Sequence, residues 1–180
     1  MFSNLYDPEE LLIQVSDDDG QILGAIARSR VHGNPDLIHR AVHILVLSPD
    51  GLLLLQKRSM QKDTQPGKWD TSVGGHVGFG QSYEEAALRE AEEELGVQLD
   101  LRDLEYLYFS KIRNERESEN IQTYLCRHAG PFAPHPDEVD AVRFWSRSEI
   151  QSTLGTGAFT SNFEEEFAAF LASPRGILLE

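Results

Sequence analysis

Cysteine is almost absent from this sequence, since Cys126 is the single one among 180 residues. An intramolecular disulfide is therefore excluded, which fits a reducing compartment such as the cytoplasm. Because Cys126 lies in the apolar run TYLCR, we expect it to be buried in the core. The sequence also lacks a long apolar run and an N-terminal leader pattern, so it gives no support for secretion or for a membrane anchor.

Positive charge is scarce as well. The chain carries 16 Lys and Arg against 30 Asp and Glu, a formal net charge of −14. This balance disfavours unaided binding to nucleic acid or to anionic membranes, and a polyphosphate substrate would need metal ions to offset the repulsion. No internal repeat or low-complexity linker interrupts the chain, and its length suits one domain spanning residues 1–180.

One stretch, residues 74–97, combines a glycine-rich loop with a well-marked helix and reads GGHVGFGQSYEEAALREAEEELGV. Ser82 followed by Glu85 is a capping box, and Gly96 is a typical C-terminal stop, so the pattern predicts a helix between them. Apolar residues recur at every fourth position of this helix and predict a stripe that packs on a sheet. These residues are Tyr83, Ala87, Ala91 and Leu95.

Three carboxylates share another face of this helix, because Glu90, Glu93 and Glu94 are spaced i, i+3 and i+4. Like charges at this spacing destabilise a helix by roughly 0.2–0.5 kcal/mol per pair. Two interpretations are open. The face is either a solvated acidic surface or a divalent cation site, whose oxygen ligands would suit Mg²⁺ or Mn²⁺. The glycine loop that leads into the helix favours the cation site.

The rest of the chain predicts strands in hairpins with helices between them. An Asp-Gly turn joins apolar runs at 11–15 and 22–27, which predicts a β-hairpin within an N-terminal extension at 1–31. Further strands are predicted at 39–47, 52–57, 69–73, 104–111, 121–127 and 141–145. A short helix capped by Ser148 and an amphipathic helix at 162–172 follow. The charged loop 112–120 is either a solvated tip or a wall of a site. This pattern predicts an α+β fold with a mixed sheet between helices.

Residues 74–97 resemble the Nudix box, G-x5-E-x7-R-E-U-x-E-E-x-G-U, in which U is a bulky aliphatic residue. Seven positions fall in register: Gly75, Arg89, Glu90, Glu93, Glu94, Gly96 and Val97. Two positions depart from the box, with Gln81 in place of its first glutamate and Ala91 at the aliphatic position. The resemblance implies a Nudix-type α/β/α sandwich. It also implies metal-dependent hydrolysis of a diphosphate linkage in a nucleoside diphosphate derivative or a related small organic diphosphate.

The resemblance further implies a metal and its ligands. Mg²⁺ or Mn²⁺ would be held by Glu90, Glu93, Glu94 and the backbone carbonyl of Gly74, with Glu93 and Glu94 taking part in catalysis. Arg89 is expected to hold the helix carboxylates by ion pairing. A charge is missing at Gln81, although a glutamine can still cap or hydrogen-bond.

Residues outside the box are expected to complete the site. A general base in this family comes from the box or from a later loop, where Glu119, then Glu117 or Glu115, is the candidate. The partner implied is a small-molecule diphosphate, without nucleic acid or membrane. Phosphate or base contacts are expected from basic residues in the loops, each of which has an equally good interpretation as a solvated structural residue. These residues are Arg58, Lys68, Arg113 and Arg116.

A longer segment, about residues 11–145, resembles the isopentenyl diphosphate isomerase branch of the same superfamily. In that branch three histidines and two glutamates hold a metal, and His32, His39, His76 and Glu119 match four of these positions. The alternative is that these histidines are inherited scaffold. The catalytic cysteine of the branch is replaced by Gly74, and its later glutamate by Ile121, so isomerisation is disfavoured.

Hydrolysis is therefore the preferred activity. An isomerase, or a catalytically weak Nudix-like domain that binds a ligand, is the alternative. The superfamily also suggests a homodimer formed through the N-terminal hairpin.

Overall fold

The computed structural model describes residues 12–31, 33–62 and 64–180. The predicted strand and glycine turn at the N-terminus are present as a hairpin, although Leu11 and the preceding residues lie outside the described part. Nine strands form one mixed sheet over the described residues. They are β1 Leu12–Ser16, β2 Ile22–Ala27, β3 Ile38–Leu47, β4 Leu53–Arg58, β5 Trp69–Asp70, β6 Val73–His76, β7 Glu105–Arg113, β8 Ser118–Arg127 and β9 Val139–Trp145.

Four α-helices accompany the sheet in the described residues: α1 Arg28–Val31, α2 Tyr83–Leu95, α3 Arg147–Thr153 and α4 Ser161–Ala172. Helices α2 and α4 match the predicted helices closely. The cap of α3 is Ser146 and not Ser148, because the Ser146 side chain accepts the N–H of Glu149 while Glu149 accepts the N–H of Ser146. None of the described helices has the length and apolarity that a membrane span requires.

Strand β3 is the centre of the sheet. It pairs in parallel with β8 along its whole length, from Ile38 opposite Ser118 to Leu47 opposite Arg127, and antiparallel with the short strand β6. Strand β7 extends the sheet beyond β8. Strand β4 joins β3 to β9 and β5, and the β1–β2 hairpin pairs with β3 at Val15 opposite His39. Parallel pairing of β3 and β8 brings together residues that lie about eighty positions apart.

Alternating side chains of β3 serve two separate cores, because successive residues of a strand point to opposite faces. Val42, Ile44 and Val46 pack under α2 with the apolar stripe of that helix. Leu45 and Leu47 face the other side, where they pack with Ile150 of α3, Phe159 of the α3–α4 connection, and Phe163, Phe167 and Phe170 of α4. The predicted α+β sandwich, a mixed sheet between helices, is confirmed.

Cys126 is buried in the core under α2, as predicted, and burial raises the pKa of its thiol to about 11. A thiol in this state is a packing residue and a poor nucleophile. The proposed cytoplasmic location stays a prediction.

The charged segment 112–120 is not mainly a loop. Strands β7 and β8 continue to Arg113 and from Ser118, and a tight turn with the Asn114 N–H donated to the Glu117 carbonyl joins them. Strand pairing overrides the polar composition here, and Ser118, Glu119 and Asn120 are all buried at the start of β8. The predicted strand at 69–73 is also divided, and Gly74 and Gly75 belong to β6.

Candidate active site

Helix α2 is fixed at both ends by its own sequence. The Ser82 hydroxyl accepts the Glu85 N–H at 3.1 Å, and the Glu85 carboxylate accepts the Ser82 N–H at 2.8 Å. At the other end Gly96 adopts a left-handed conformation with φ 67° and donates its N–H to the last turn. A Cβ at this position would lie 2.7 Å from the Ala133 carbonyl oxygen, so glycine is required for conformation and for space.

The three carboxylates of α2 have different surroundings. Glu90 and Glu94 are buried, with 8% and 7% of their surface exposed, whereas Glu93 is exposed. Arg89 pairs with Glu90 at 2.8 Å and with Glu93 at 2.7 Å, and it donates to the His76 carbonyl at 2.8 Å. The expected ion pairing by Arg89 is therefore present, and it also ties the helix to strand β6.

Glu94 faces the sheet, where its carboxylate accepts the Gln56 side-chain amide at 2.9 Å and the Gly74 N–H at 3.0 Å. Burial, together with the charge of neighbouring Glu90, raises the pKa of Glu94 to about 8. Burial likewise raises the pKa of Glu90. Two adjacent buried carboxylates with raised pKa values form a site that a bound cation would stabilise in its ionised form.

Gly75 gives Glu90 the room to approach the sheet. A Cβ built on Gly75 would lie 1.9 Å from the carboxyl carbon of Glu90 and 2.0 Å from one of its oxygens. No side chain fits there while Glu90 keeps its position. The glycine that opens the box is thus required by the close approach of the carboxylate to β6.

A second group of ligating side chains comes from the sheet itself. His39 on β3 donates through Nε2 to the Glu119 carboxylate on β8 at 3.0 Å, and His76 Nε2 lies 3.8 Å from the same carboxylate oxygen. One ligand atom from each of the three lies within 4.8 Å of the others. Two imidazoles and a carboxylate form a donor set that fits a divalent transition metal. His32, the third matched histidine, lies outside the described residues.

Strand register explains why these three side chains meet. His39 is directly opposite Glu119 in the parallel β3–β8 pair, and His76 is opposite Ala41, two residues further along β3 on the same face. Burial alone would raise the pKa of Glu119, but the hydrogen bond from His39 and the nearby histidine charges lower it to about 2. Glu119 is therefore a stable anion.

Members of both groups line one cavity of about 1310 Å³. Glu90, Glu93 and Glu94 reach it from α2, and His76 and Glu119 reach it from the sheet. The β7–β8 turn supplies a further wall through Glu115, Arg116 and Glu117, so this segment forms a wall of the site as well as a tip. Burial and the Glu119 charge raise the pKa of Glu117, whose carboxylate accepts the side-chain amide of Asn162 at 3.0 Å.

The basic residues expected to contact substrate have different positions. Arg58 lines the cavity, but its guanidinium is already bonded to Asp70 at 3.1 Å and to the hydroxyl and carbonyl of Thr64. Among the described residues that line the cavity, Lys68 and Arg113 are absent. The structure thus does not bring these two predicted contacts to the site.

Arg113 instead links the β1–β2 turn to strand β8. Its guanidinium donates to Asp18 in the β1–β2 turn at 2.8 Å, to the Glu119 carbonyl at 2.6 Å and to the Asn120 side chain at 2.7 Å. The hairpin and the strand that carries Glu119 are therefore held together by this side chain.

The cavity is also lined by two cationic residues, Arg28 and Lys62, which the sequence did not single out. Lys62 pairs with Glu138, and burial lowers its pKa. Neither residue lies in a motif, and only their place in the fold brings them to the cavity. Lys62 lies in the polar loop after β4, and a basic residue in a polar loop is the one signal that the sequence offers.

Gln81 has a local role. Its side-chain oxygen accepts the Gly78 N–H at 2.9 Å and closes the glycine loop before α2. Among the described lining residues of the cavity Gln81 is absent. The replacement of the box glutamate by Gln81 therefore affects the glycine loop and not the carboxylate site.

Comparison with known proteins agrees with this geometry. Residues 37–164 match the family model of the NUDIX domain. An isopentenyl-diphosphate Delta-isomerase of Brevibacterium linens is 30% identical over 162 residues, covering 87% of this chain and 89% of that protein. An uncharacterized Nudix hydrolase of Yersinia pestis is 34% identical over 140 residues, covering 77% and 74%. The crystal structure of DR0079 from Deinococcus radiodurans has a TM-score of 0.71 at 23% identity, covering 86% of this chain and 96% of that one.

The chain therefore belongs to the Nudix family. The family match and the Nudix hydrolase among the relatives confirm the predicted enzyme class, a Nudix pyrophosphohydrolase. The resemblance to the isomerase branch is confirmed as well.

Proposed function

We propose that this enzyme hydrolyses the diphosphate linkage of a small organic diphosphate, such as a nucleoside diphosphate derivative, with Mg²⁺ or Mn²⁺ as cofactor. The observation that carries the proposal is the pair of buried carboxylates, Glu90 and Glu94, on the wall of a cavity that also holds cationic side chains. Carboxylates bind the cation, and the cationic side chains attract the phosphates.

The ligands proposed for Mg²⁺ or Mn²⁺ are Glu90, Glu93, Glu94 and the Gly74 carbonyl. When bound, such a cation offsets the charge of the diphosphate and lowers the pKa of water. Gln56 and the Gly74 N–H orient the Glu94 carboxylate, and Arg89 orients Glu90 and Glu93. These donors fix the carboxylates before substrate arrives.

The general base is better assigned to Glu117 than to Glu119. A carboxylate whose pKa is about 2 binds a proton weakly, and Glu119 is already engaged with His39 and His76. The pKa of Glu117 is raised by burial, and its side chain lines the same cavity. We therefore assign proton transfer from the attacking water to Glu117. Glu119, together with His39 and His76, is assigned to holding a second cation.

The phosphate contacts are assigned to cations on the cavity wall in place of Lys68 and Arg113. Within the described residues, Arg28 and Arg116 line the cavity without a side-chain ion pair, so their guanidinium groups are available. Lys62 lies near Glu90 and Glu94, and Arg58 is held in place by Asp70. Guanidinium groups of this kind bind phosphate through two parallel hydrogen bonds.

Isomerisation of an isoprenoid diphosphate, which the names of several relatives suggest, has less support in this site. It needs an acid and a base on either side of the alkene. Gly74 offers no side chain, and Ile121 is buried in an apolar cluster with Ala41 and Ile112. The panel of substrates that tests the proposal therefore includes isopentenyl diphosphate as the competing substrate.

The test separates the products formed from nucleotide sugars, CDP-alcohols, nucleoside diphosphates and isopentenyl diphosphate with Mg²⁺ or Mn²⁺. Hydrolysis of the diphosphate linkage gives two monophosphates, one of which is inorganic phosphate when the substrate ends in a free phosphate. We expect hydrolysis of at least one compound, and Glu94→Gln should lower turnover roughly a hundredfold, since the charge of a proposed ligand is removed. Glu92→Gln is the matched control, because Glu92 is exposed on the same helix and bonds to Gln98.

No turnover with any compound, together with no metal binding by calorimetry, would sink the hydrolase proposal. Formation of dimethylallyl diphosphate from isopentenyl diphosphate would replace it with the isomerase. Full activity of Glu94→Gln would show that the helix carboxylates do not hold the cation.

A further inference from the structure

A buried polar cluster beside the carboxylate site belongs to no motif of the sequence. Glu166 on α4 accepts the Tyr108 hydroxyl at 2.6 Å and the Thr123 hydroxyl at 3.0 Å, and it is bonded to Nδ1 of His43. Its four members come from β3, β7, β8 and α4. Glu166 therefore joins the terminal helix to three strands of the sheet.

The cluster follows one row across the sheet. Gly74, His43, Thr123 and Tyr108 are successive partners on β6, β3, β8 and β7. Glu166 lies over this row from α4, on the otherwise apolar face that carries Phe163, Phe167 and Phe170. His43 consequently lies between Glu166 on one side and Gly74 on the other.

The far edge of the His43 ring is directed towards the cavity. A Cβ built on Gly74 would lie 3.3 Å from Cδ2 and 3.6 Å from Nε2 of His43. His43 is 9% exposed and lines the cavity that holds the α2 carboxylates, while its Nδ1 edge is occupied by Glu166. Nε2 is thus the ring nitrogen that a ligand in the cavity can reach.

Burying His43 and Glu166 together costs free energy, and packing of the core does not require these two residues. A buried carboxylate is destabilising unless it is hydrogen-bonded and balanced by charge, and apolar residues of similar size often serve a core equally well. The alternation of β3 places His43 between Ala41 and Leu45, and both of these neighbours on the same face are apolar. A functional contact gives a physical reason for a histidine at this position.

We propose that His43 contacts a phosphate oxygen of the bound diphosphate through Nε2, and that Glu166 is a positioning residue that fixes the ring. This inference rests on the proposed diphosphate site and adds to it a contact on the sheet side, in the cavity that Arg28 and Lys62 also line. Gly74 fits the same assignment, because a side chain that extends beyond a methyl group there would stand between His43 and the cavity.

Two substitutions of His43 separate a substrate contact from a structural role. His43→Gln places an amide near the position of Nε2 and gives up the Nδ1 bond to Glu166. His43→Asn places an amide near Nδ1, retains the bond to Glu166 and leaves the cavity side empty. If His43 contacts the substrate, His43→Gln should preserve diphosphate binding better than His43→Asn does. If the role of His43 is purely structural, His43→Asn should preserve both the thermal stability and the binding.

The measurement is calorimetric binding of methylenediphosphonate, a non-hydrolysable diphosphate, to each protein in the presence of Mg²⁺, with melting temperatures alongside. We expect His43→Asn to weaken binding about tenfold, the loss of one hydrogen bond to a charged group. His43→Gln should bind within a few-fold of wild type. Equal binding by wild type and His43→Asn, or weaker binding by Gln than by Asn, would overturn the proposal.

Glu166→Gln tests the positioning role. It should weaken diphosphonate binding less than His43→Asn does, and in hydrolysis it should change KM more than kcat. An unchanged KM would leave Glu166 as a structural residue and refute this part.

A spectroscopic experiment on the wild-type chain covers the case in which the variants do not fold. The ¹⁵N resonance of His43 Nε2 should move when methylenediphosphonate is added, and a resonance that stays in place at saturation would overturn the proposal. The outcome is separable from that of the proposed function. If the wild type binds the diphosphonate and the His43 variants bind it equally well, this inference alone is refuted. If the wild type neither binds nor hydrolyses a diphosphate, both this inference and the proposed function are refuted.

Discussion

Gly75 and Glu90 show how closely single residues are matched in this site. The Glu90 carboxyl group occupies the space that a Cβ at position 75 would fill. This contact crosses from helix α2 to strand β6, so it fixes the distance between the helix carboxylates and the sheet. Gly74, one residue earlier, has more room, since its nearest neighbour would lie 3.3 Å from an added Cβ.

Gly75→Ala should therefore displace Glu90 and lower turnover about a hundredfold, the typical cost of misplacing a catalytic group by about 1 Å. Gly74→Ala is the comparison, and it should reduce turnover much less because a methyl group fits there with small adjustments. Steady-state kinetics on the best substrate of the panel would measure both. Equal losses for the two variants would contradict the steric explanation.

At the scale of elements, helices α2 and α3 begin with the same device. Each has a complete capping box, Ser82 with Glu85 and Ser146 with Glu149. Helix α2 carries the carboxylates of the site, whereas α3 packs Ile150 into the core on the other face of the sheet. The two caps are thus alike in geometry, and their helices carry different residues.

Ser82→Ala and Ser146→Ala should each lower the free energy of unfolding by about 1 kcal/mol, because one side-chain bond to the helix N-terminus is lost. Urea denaturation would measure this. Only Ser82→Ala should also weaken Mg²⁺ binding, since fraying of α2 loosens its carboxylates. Equal Mg²⁺ affinities in the two variants would show that the cap contributes to stability alone.

For the whole molecule, the net charge of −14 and the buried acids both lower the free energy of unfolding as the pH rises. The pKa of Glu94 rises from 4.5 to about 8 on folding, so between these values the folded protein binds more protons than the unfolded chain. The free energy of unfolding must then fall as pH rises from 4.5 to 8. His43, whose pKa rises from 6.5 to about 9 through Glu166 despite its burial, adds a fall of the same sign up to about pH 9.

A divalent cation takes the place of the protons on these carboxylates. We therefore expect Mg²⁺ to raise the melting temperature more above pH 8 than near pH 4.5, and thermal denaturation with and without Mg²⁺ would measure the difference. Glu94→Gln should reduce both the pH dependence and the gain from Mg²⁺. A gain from Mg²⁺ that is the same at both pH values would contradict the assignment of the cation to these acids.

What the sequence determined is local. The capping box, the left-handed Gly96 and the i, i+3, i+4 spacing of the carboxylates lie within one helix, so neighbouring residues alone specify them. The Ser148 cap was misplaced by two residues, because Ser146 and Ser148 both lie where the helix begins and only the bond to Glu149 identifies Ser146 as the cap. Apolar runs bounded by turn residues likewise predicted the strands of the core.

What only the tertiary structure decided depends on pairing over long distances in the chain. His39 meets Glu119 across eighty residues through the parallel register of β3 and β8, and His43 meets Glu166 across 123 residues through the packing of α4 on that sheet. A charged pattern such as that of residues 112–120 does not state whether its carboxylates face water or a cavity. Burial on one face of a sheet decides this, because register determines the face of every side chain.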